Sequence, residues 1–182
     1  MIKMTDIINE GNRKNEYGCV MLFFDYPQLF KIQDGINPKH LYEEDDDDSY
    51  GLDTEPHITL LFGLHQEVTT DQVKDILKDI TFSRCELHNP SCFNNEKYDV
   101  FKFDAKGSSL HKANKKLTDL PFTSNFPDYH PHMTIGYLKP GFGERYVRML
   151  DKSKNDKRYI TPKYAIYSKV DGTKDKLKIN VY

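Results

Sequence analysis

The chain has 182 residues and a formal net charge of −2, and 37% of its residues are hydrophobic, including 12 tyrosines and 11 phenylalanines. This length is typical of one domain, and its apolar content suffices for a buried core. No run reaches the roughly 18 apolar residues that a membrane span needs. The N-terminal stretch lacks the apolar segment of a secretory signal. We therefore expect a single domain, residues 1–182, in the cytoplasm.

The charge is distributed unevenly along the chain. Residues 1–91 contain 8 Lys and Arg against 18 Asp and Glu, whereas residues 92–182 contain 18 against 10. Much of the negative charge is the run "EEDDDD" at 43–48, and like charges in a row repel one another. We therefore predict a flexible acidic loop at about 35–55. A lid over the basic second half is the alternative.

The three cysteines, Cys19, Cys85 and Cys92, are an odd number and lack CxxC spacing. This pattern predicts reduced thiols rather than a disulfide framework or a zinc site.

Hydrophobic patterning predicts alternating strands and helices. The order suggests two similar halves, each with a strand, a helix and a further strand. We expect a mixed α/β (α+β) fold with two pseudo-symmetric β-sheet lobes, flanking helices and a central cleft. The predicted strands are 17–27, 57–62, 82–88, 98–104, 132–138, 163–169 and 176–182, and the predicted helices are 69–80, 108–120 and 142–152.

Two of the predicted strands carry nearly the same motif, "EPHITLLFG" at 55–63 and "HPHMTIGYL" at 130–138. Because side chains alternate along a strand, His57 shares a face with Thr59, and His132 shares a face with Thr134. If the strands lie side by side, two imidazoles and two hydroxyls converge on one cleft. The same alternation places Leu61 on the histidine face, and it places Phe62 and Tyr137 on the apolar core face.

This set of groups suits cleavage of a phosphodiester. One histidine can remove the proton of the nucleophile while the other protonates the leaving oxygen. The two threonine hydroxyls can donate hydrogen bonds to the phosphoryl oxygens. The sequence contains no HExxH motif and no carboxylate pair beside either copy, so no metal is indicated. A metal held by His57 and His132 is the alternative.

The paired motifs resemble those of the two-histidine phosphoesterase superfamily, which includes 2′-5′ RNA ligase-like proteins and cyclic phosphodiesterases. Within it, "EPHITLLFGL", "YHPHMTIGYLKPG" and the compact length look most like the bacteriophage anti-CBASS nucleases. Those enzymes destroy the cyclic oligonucleotide messengers of bacterial antiviral defence.

The resemblance implies hydrolysis of 3′-5′ linkages in cyclic di- or trinucleotides, without a metal or other cofactor, in the host bacterial cytoplasm. It makes His57 and His132 the acid–base pair, and Thr59 and Thr134 the phosphate ligands. It leaves open which histidine is the base, and whether the nucleophile is a ribose 2′-hydroxyl or water. No membrane and no stable duplex nucleic acid is expected as a partner.

Residues that bind the rest of the substrate are harder to identify. Family members use an aromatic side chain near the first strand, so Tyr17 and Tyr167 are candidates for stacking on a base. Packing at the edge of the core is the alternative for both tyrosines. Lys139 and Lys102 are candidates for holding phosphate, although lysines on a surface usually have no such role.

Two other functions fit the sequence. The first is an RNA 2′,3′-cyclic phosphodiesterase or 2′-5′ RNA ligase-like enzyme. The second is a non-catalytic sponge that binds a cyclic nucleotide and releases it intact. Histidines in both motif copies favour an enzyme, because binding alone requires no pair of proton-transfer groups.

Overall fold

A computed structural model describes residues 16–45, 50–124, 128–151 and 158–182. It contains ten strands, four α-helices and one short 3-10 helix in these ranges. The strands are β1 Gly18–Phe24, β2 His57–Leu64, β3 Thr81–Phe82, β4 Cys85–Asn94, β5 Asp99–Lys106, β6 His132–Leu138, β7 Arg158–Ile160, β8 Pro162–Ser168, β9 Lys174–Leu177 and β10 Asn180–Val181. The helices are α1 Gln28–Gln33, α2 Thr70–Leu77, α3 Ser108–Leu117 and α4 Gly143–Asp151, and the 3-10 helix is Pro38–His40.

The strands form two four-stranded sheets, which we call lobe 1 and lobe 2. Lobe 1 has the strand order β2-β1-β8-β9, and lobe 2 has the order β6-β5-β4-β7. The small strands β3 and β10 pair with each other in parallel. This architecture confirms the predicted mixed fold of two β-sheet lobes with flanking helices. No helix in the described ranges is long and apolar enough to cross a membrane.

The two lobes are built from the same succession of elements. In lobe 1, β1 is followed by α1 and then by β2, which pairs antiparallel with β1. In lobe 2, β5 is followed by α3 and then by β6, which pairs antiparallel with β5. Each motif strand is therefore the terminal strand of its sheet, and β2 and β6 contact each other.

One main core holds the two lobes together. On each motif strand, two residues are fully buried in this core, as the alternation predicts: the residue between the histidine and the threonine, and the residue after the threonine. These residues are Ile58 and Leu60 on β2, and Met133 and Ile135 on β6.

A β-bulge interrupts the alternation of β2 just after its threonine. Thr59 lies opposite Met21 and Leu61 lies opposite Val20, so β2 has one residue more than β1 at this point. After the bulge, each side chain points to the face opposite to the one that simple alternation predicts. The predictions for two residues are therefore wrong. Leu61 packs into the main core, whereas Phe62 packs on the histidine face against the cluster that contains Met21.

The second motif strand has the equivalent bulge. Lys102 lies opposite Thr134, but Phe101 lies opposite Gly136, so the extra residue again follows the threonine. Tyr137 was predicted to enter the main core with Met133, and this prediction is also wrong. It packs instead in a separate cluster with Tyr98, Val100, Tyr42 and Tyr50.

The flexibility of the acidic loop at about 35–55 stays a prediction. The described residues on both sides of the acidic run are ordered against β6: Leu41 bridges Leu138, and Leu52 bridges Gly136. The 3-10 helix also falls in this region. Residues 46–49, which contain part of the acidic run, lie outside the described residues. The segments beside the run therefore extend the edge of lobe 2.

A matching segment covers the edge of β2. Phe122 bridges Leu64, and the backbone N–H of Thr123 donates to the carbonyl of Gly63. Gly63 has a φ of +104°, and a Cβ there would lie 1.9 Å from the Thr123 carbonyl oxygen. This close crossing requires glycine. The segment before each motif strand thus pairs with the motif strand of the other lobe.

The three cysteines form no disulfide with one another. Cys19, Cys85 and Cys92 are free thiols, and the first two are buried.

Candidate active site

The two motif histidines have the same hydrogen bond. His57 Nδ1 lies 2.8 Å from the carbonyl oxygen of Glu55, and His132 Nδ1 lies 2.9 Å from that of His130. Because a carbonyl oxygen can only accept, Nδ1 is the protonated nitrogen in both rings. In each histidine, Nε2 is therefore the nitrogen left to take or give a proton.

The two histidines lie near each other across the boundary between the lobes. They start the contacting strands β2 and β6, and the charge of His57 acts on the pKa of His132. Thr59 and Thr134 follow on the same faces, two residues further along each strand. The structure therefore brings together the four residues that the sequence singled out.

On the lobe 1 side, His57 is the end of a row of stacked side chains. Phe23 stacks on His57 with ring centroids 5.5 Å apart. Tyr164 stacks on the other side of the Phe23 ring, with centroids 5.2 Å apart. The ammonium group of Lys176 lies 3.7 Å from the centroid of the Tyr164 ring. The four residues come from four adjacent strands, β2, β1, β8 and β9. The row holds the His57 ring in a defined orientation.

A carboxylate also contacts His57. Asp53 Oδ2 lies 3.5 Å from His57 Nδ1, and both side chains are about one-tenth exposed. The backbone N–H of Asp53 donates to the Ile135 carbonyl of lobe 2 at 3.2 Å, and its carbonyl accepts from Gln33 Nε2 of α1 at 2.7 Å. Lobe 2 thus places a negative charge beside the histidine of lobe 1.

On the lobe 2 side, the neighbour of the motif is a buried lysine. Lys102 is 4% exposed and lies opposite Thr134 in the strand pairing. Its ammonium group donates to Ser91 Oγ at 2.8 Å, pairs with Asp104, and lies 4.2 Å from the centroid of the Phe93 ring. These three contacts hold the Lys102 side chain in place.

The surroundings of His132 favour its neutral form. Burial lowers the pKa of His132 to about 4, and the positive charges of Lys102 and His57 act in the same direction. The hydrogen bond to the His130 carbonyl and the charge of Asp104 oppose the shift. Phe93 contacts the His132 ring edge-on at 5.2 Å. His132 is therefore neutral at pH 7.

The residues predicted to bind the rest of the substrate lie further away. Tyr17 is half-buried and contacts Phe62 and His65. It precedes Phe23 by six residues, which corresponds to about 20 Å along a strand. Lys139 is exposed after the end of β6 and donates to the carbonyl of Lys39 at 2.9 Å.

Tyr167 lies in the main core. It is 1% exposed, and its hydroxyl donates to the Val68 carbonyl at 3.0 Å. It has no exposed ring face on which a base could stack, so the core-packing alternative describes it. Tyr164, three residues earlier, is the tyrosine of β8 on the histidine face.

Sequence reasoning missed three neighbours of the histidines, Phe23, Asp53 and Phe93, and it missed Tyr164, which stacks on Phe23. Alternation in β1 would have placed Phe23 on the same face as Met21, but its contact with His57 depends on how β1 pairs with β2. Asp53 is four residues before His57, and its place was obscured by the predicted flexible loop.

In the parts of the chain that the structure describes, no three His, Cys, Asp or Glu side chains are grouped so that they could hold a metal ion.

Comparison with known proteins gives the family and the fold. A family model described as the 2′-5′ RNA ligase superfamily matches residues 32–155, a range that contains both motifs. No curated protein matches the chain. Kluyveromyces marxianus Usb1 has a similar structure, with a TM-score of 0.53 and 10% identity over 90% of this chain and 98% of that chain.

The structure of the same Usb1 with uridine monophosphate gives a TM-score of 0.53 and 9% identity, over 90% of this chain and 99% of that one. At such low identity the likeness shows a shared fold. The family model covers more than half of the chain, including both histidine motifs. The chain belongs to the 2′-5′ RNA ligase superfamily, the two-histidine phosphoesterases.

Proposed function

We propose that this protein is a phosphodiesterase that hydrolyses the 3′-5′ linkages of cyclic di- or trinucleotides. His57 and His132 are its acid–base pair, and Thr59 and Thr134 are its phosphate ligands. The observation that carries the proposal is the matched Nδ1 hydrogen bond of the two histidines, 2.8 Å and 2.9 Å long. It supports the proposal because it leaves Nε2 of both rings available for proton transfer.

The proposed reaction uses the chain's own side chains. One histidine removes a proton from the nucleophile, which is either the adjacent ribose 2′-hydroxyl or water, while the other protonates the departing 5′-oxygen. Each of these proton transfers accelerates such reactions by ~10²–10⁴. Hydroxyl donors from Thr59 and Thr134 would stabilise the charge that builds on the phosphoryl oxygens.

The charges of the chain suit an anionic substrate. The second half of the sequence carries 18 Lys and Arg against 10 Asp and Glu, which raises the local concentration of a polyanion. Tyr17 stays a candidate for stacking on a base, because its half-buried ring contacts Phe62, which packs on the histidine face. Lys139 stays a candidate phosphate contact, because it is exposed.

The biological role follows from the substrate. An enzyme that destroys cyclic oligonucleotide messengers in an infected bacterial cytoplasm would counteract CBASS antiviral immunity. Two features support this assignment, because they resemble the bacteriophage anti-CBASS nucleases. They are the motif sequences "EPHITLLFGL" and "YHPHMTIGYLKPG" and the short length of the chain.

The second candidate substrate is an RNA end with a 2′,3′-cyclic phosphate. The family to which the chain belongs is named for 2′-5′ RNA ligases, and the similar Usb1 structure was solved with uridine monophosphate. The same pair of histidines could open such an end.

The test is to incubate the purified protein in EDTA with 3′,3′-cyclic di- and trinucleotides and with an RNA that has a 2′,3′-cyclic phosphate. A His57→Ala/His132→Ala double variant is the control, and mass spectrometry resolves the products. Ring opening by the wild type alone supports the proposal. Cleavage of the RNA end alone assigns the RNA-processing function. Tight binding with every ring intact assigns a sponge and overturns the catalytic proposal.

A further inference from the structure

We propose that Asn89 and Asp104, beside His132, form the polar edge of a base-binding site that selects adenine through its 6-amino group, with Phe93 as the ring on which this base stacks. This inference rests on the proposed phosphodiesterase function and names the base that the same site prefers. The argument starts from a difference between the two lobes.

The strand pairing places different side chains beside the two histidine motifs. In lobe 1, the residues opposite the motif are Met21 and Phe23, which are both apolar. In lobe 2, they are Lys102 and Asp104, and Asp104 lies directly opposite His132. Residues directly opposite each other in an antiparallel pair have Cβ atoms about 4.5–5.5 Å apart and share a face. The Asp104 carboxylate therefore borders the candidate active site on the lobe 2 side.

A β-bulge in β4 brings Asn89 to this carboxylate. His88 lies opposite Asp104 and Pro90 lies opposite Phe103, so Asn89 is the extra residue. Its φ is +47°, and in the part of the chain that the structure describes no other residue except glycine has a positive φ. Bulges next to active sites commonly redirect a side chain. This one directs Asn89 Nδ2 to Asp104 Oδ2, 2.6 Å away.

The contact with Asp104 fixes the orientation of the Asn89 amide. A carboxylate oxygen can only accept, so the amide nitrogen faces Asp104 and the carbonyl oxygen Oδ1 faces away from it. Asn89 is exposed, and the Asp104 side chain is 32% exposed although its other oxygen pairs with Lys102. A ligand can therefore reach a carbonyl acceptor, a second amide N–H donor and a negative charge at one place.

This set of groups suits adenine. An asparagine amide makes two hydrogen bonds to adenine, because it accepts from the 6-amino group and donates to a ring nitrogen. The charge of Asp104 also favours an amino group, and it disfavours the carbonyl oxygen that guanine and hypoxanthine have at position 6. Phe93 is 37% exposed and contacts His132 edge-on at 5.2 Å, so its ring can stack on a base bound beside this histidine.

The test compares three cyclic dinucleotides that differ at position 6 of the base. They are 3′,3′-cyclic diadenylate, its analogue with unsubstituted purine, and its analogue with hypoxanthine. We expect kcat/KM of the wild type to be on the order of tenfold higher for the diadenylate than for the purine analogue, since one hydrogen bond to the base is lost. The hypoxanthine analogue should be the poorest substrate. The ratios are measured within one preparation, so partial unfolding of a variant does not change them.

Substitutions then test each residue separately. Asn89→Gly removes the side chain and keeps the positive φ, which glycine adopts without strain. It should reduce the preference for adenine over purine to within about twofold and leave kcat/KM for the purine analogue nearly unchanged. Asp104→Asn should raise the relative kcat/KM of the hypoxanthine analogue. Phe93→Leu should lower kcat/KM for all three substrates alike. Asn94→Gly, at an exposed asparagine of the same strand, is the matched control and should keep the wild-type ratios.

The outcomes separate this inference from the proposed function. If the wild type cleaves the three substrates with equal kcat/KM, or prefers the hypoxanthine analogue, the inference is wrong while the phosphodiesterase stands. A preference for adenine that Asn89→Gly retains also overturns it. If the wild type opens none of these rings, nor any other cyclic nucleotide, the proposed function fails. Calorimetric Kd values for the same three ligands then decide the inference by the same ratios.

Discussion

Gln33 and Asn114 occupy equivalent positions in the two lobes, and each donates its side-chain amide to the motif strand of the other lobe. Gln33 Nε2 of α1 lies 2.8 Å from the carbonyl oxygen of Ile135, and Asn114 Nδ2 of α3 lies 2.7 Å from that of Leu60. Each acceptor is three residues after a motif histidine, at the bulge that follows the threonine. The two amides therefore bind each lobe to the other where the candidate active site is formed.

Replacement of Gln33 by methionine should destabilise the protein. Gln33 is 4% exposed, and its amide group donates to the carbonyls of both Asp53 and Ile135. Loss of a hydrogen-bond partner in a buried site costs about 1–3 kcal/mol. We expect urea denaturation to show a decrease of this size in the free energy of unfolding. Gln28→Met, on the exposed face of the same helix, is the control. Equal stabilities of the two variants would show that the amide does not join the lobes.

The bulges mark the limit of what the sequence could predict about the site. Alternation correctly placed each histidine with its threonine, because only one residue separates them and the strand is regular there. It failed at Leu61, Phe62 and Tyr137, because one extra residue after the threonine reverses every later face. Whether a strand has an extra residue depends on the partner strand and on donors such as Asn114, which are distant in sequence.

The acidic segment shows the same limit on a larger scale. Charge repulsion within 43–48 is a local property, and it predicted a flexible loop. The ladder from Leu41 and Leu52 to β6 joins residues more than 80 positions apart. No local pattern reports such a pairing, so Asp53, which that ladder holds beside His57, was not recognised as part of the site.

Replacement of either motif threonine by valine should impair catalysis more than folding. Valine has nearly the same shape as threonine but lacks the hydroxyl that would donate to the phosphoryl oxygens. Loss of one such donor typically reduces kcat by ~10²–10³. We expect this loss for Thr59→Val and Thr134→Val at saturating substrate, with circular dichroism unchanged. If kcat stays within a few-fold of wild type while the protein remains folded, the hydroxyls do not stabilise the transition state.

Phe23 should be needed to hold the His57 ring. An aromatic pair of this kind contributes about 0.5–1.5 kcal/mol beyond its buried area. We expect Phe23→Leu to lower kcat by roughly 2- to 10-fold, because the imidazole is then less well oriented. Phe62→Leu is the matched control, since Phe62 lies on the same face but its ring contacts Tyr17. Equal effects of the two substitutions would mean that general packing, and not the contact with His57, explains the loss.

Stability should fall in mild acid because of His132. Its pKa is about 4 in the folded protein, against 6.5 for an unperturbed histidine, so the unfolded chain binds more protons between these values. The stabilising effect is therefore present above pH 6.5 and is lost as the pH falls towards 4. Each unit of difference corresponds to about 1.4 kcal/mol. Since His132 is only half-buried, we expect the free energy of unfolding to fall by up to about 2 kcal/mol between pH 7 and pH 4.5.

The measurement is urea denaturation of wild type, His132→Gln and His111→Gln at both pH values. Glutamine cannot take up a proton in this range, so His132→Gln should lose less stability between pH 7 and pH 4.5 than wild type does. His111 is an exposed histidine of α3, and its replacement should leave the dependence as it is in wild type. If all three proteins lose the same free energy, His132 is accessible to protons in the folded state. Burial would then not be what lowers the pKa of His132.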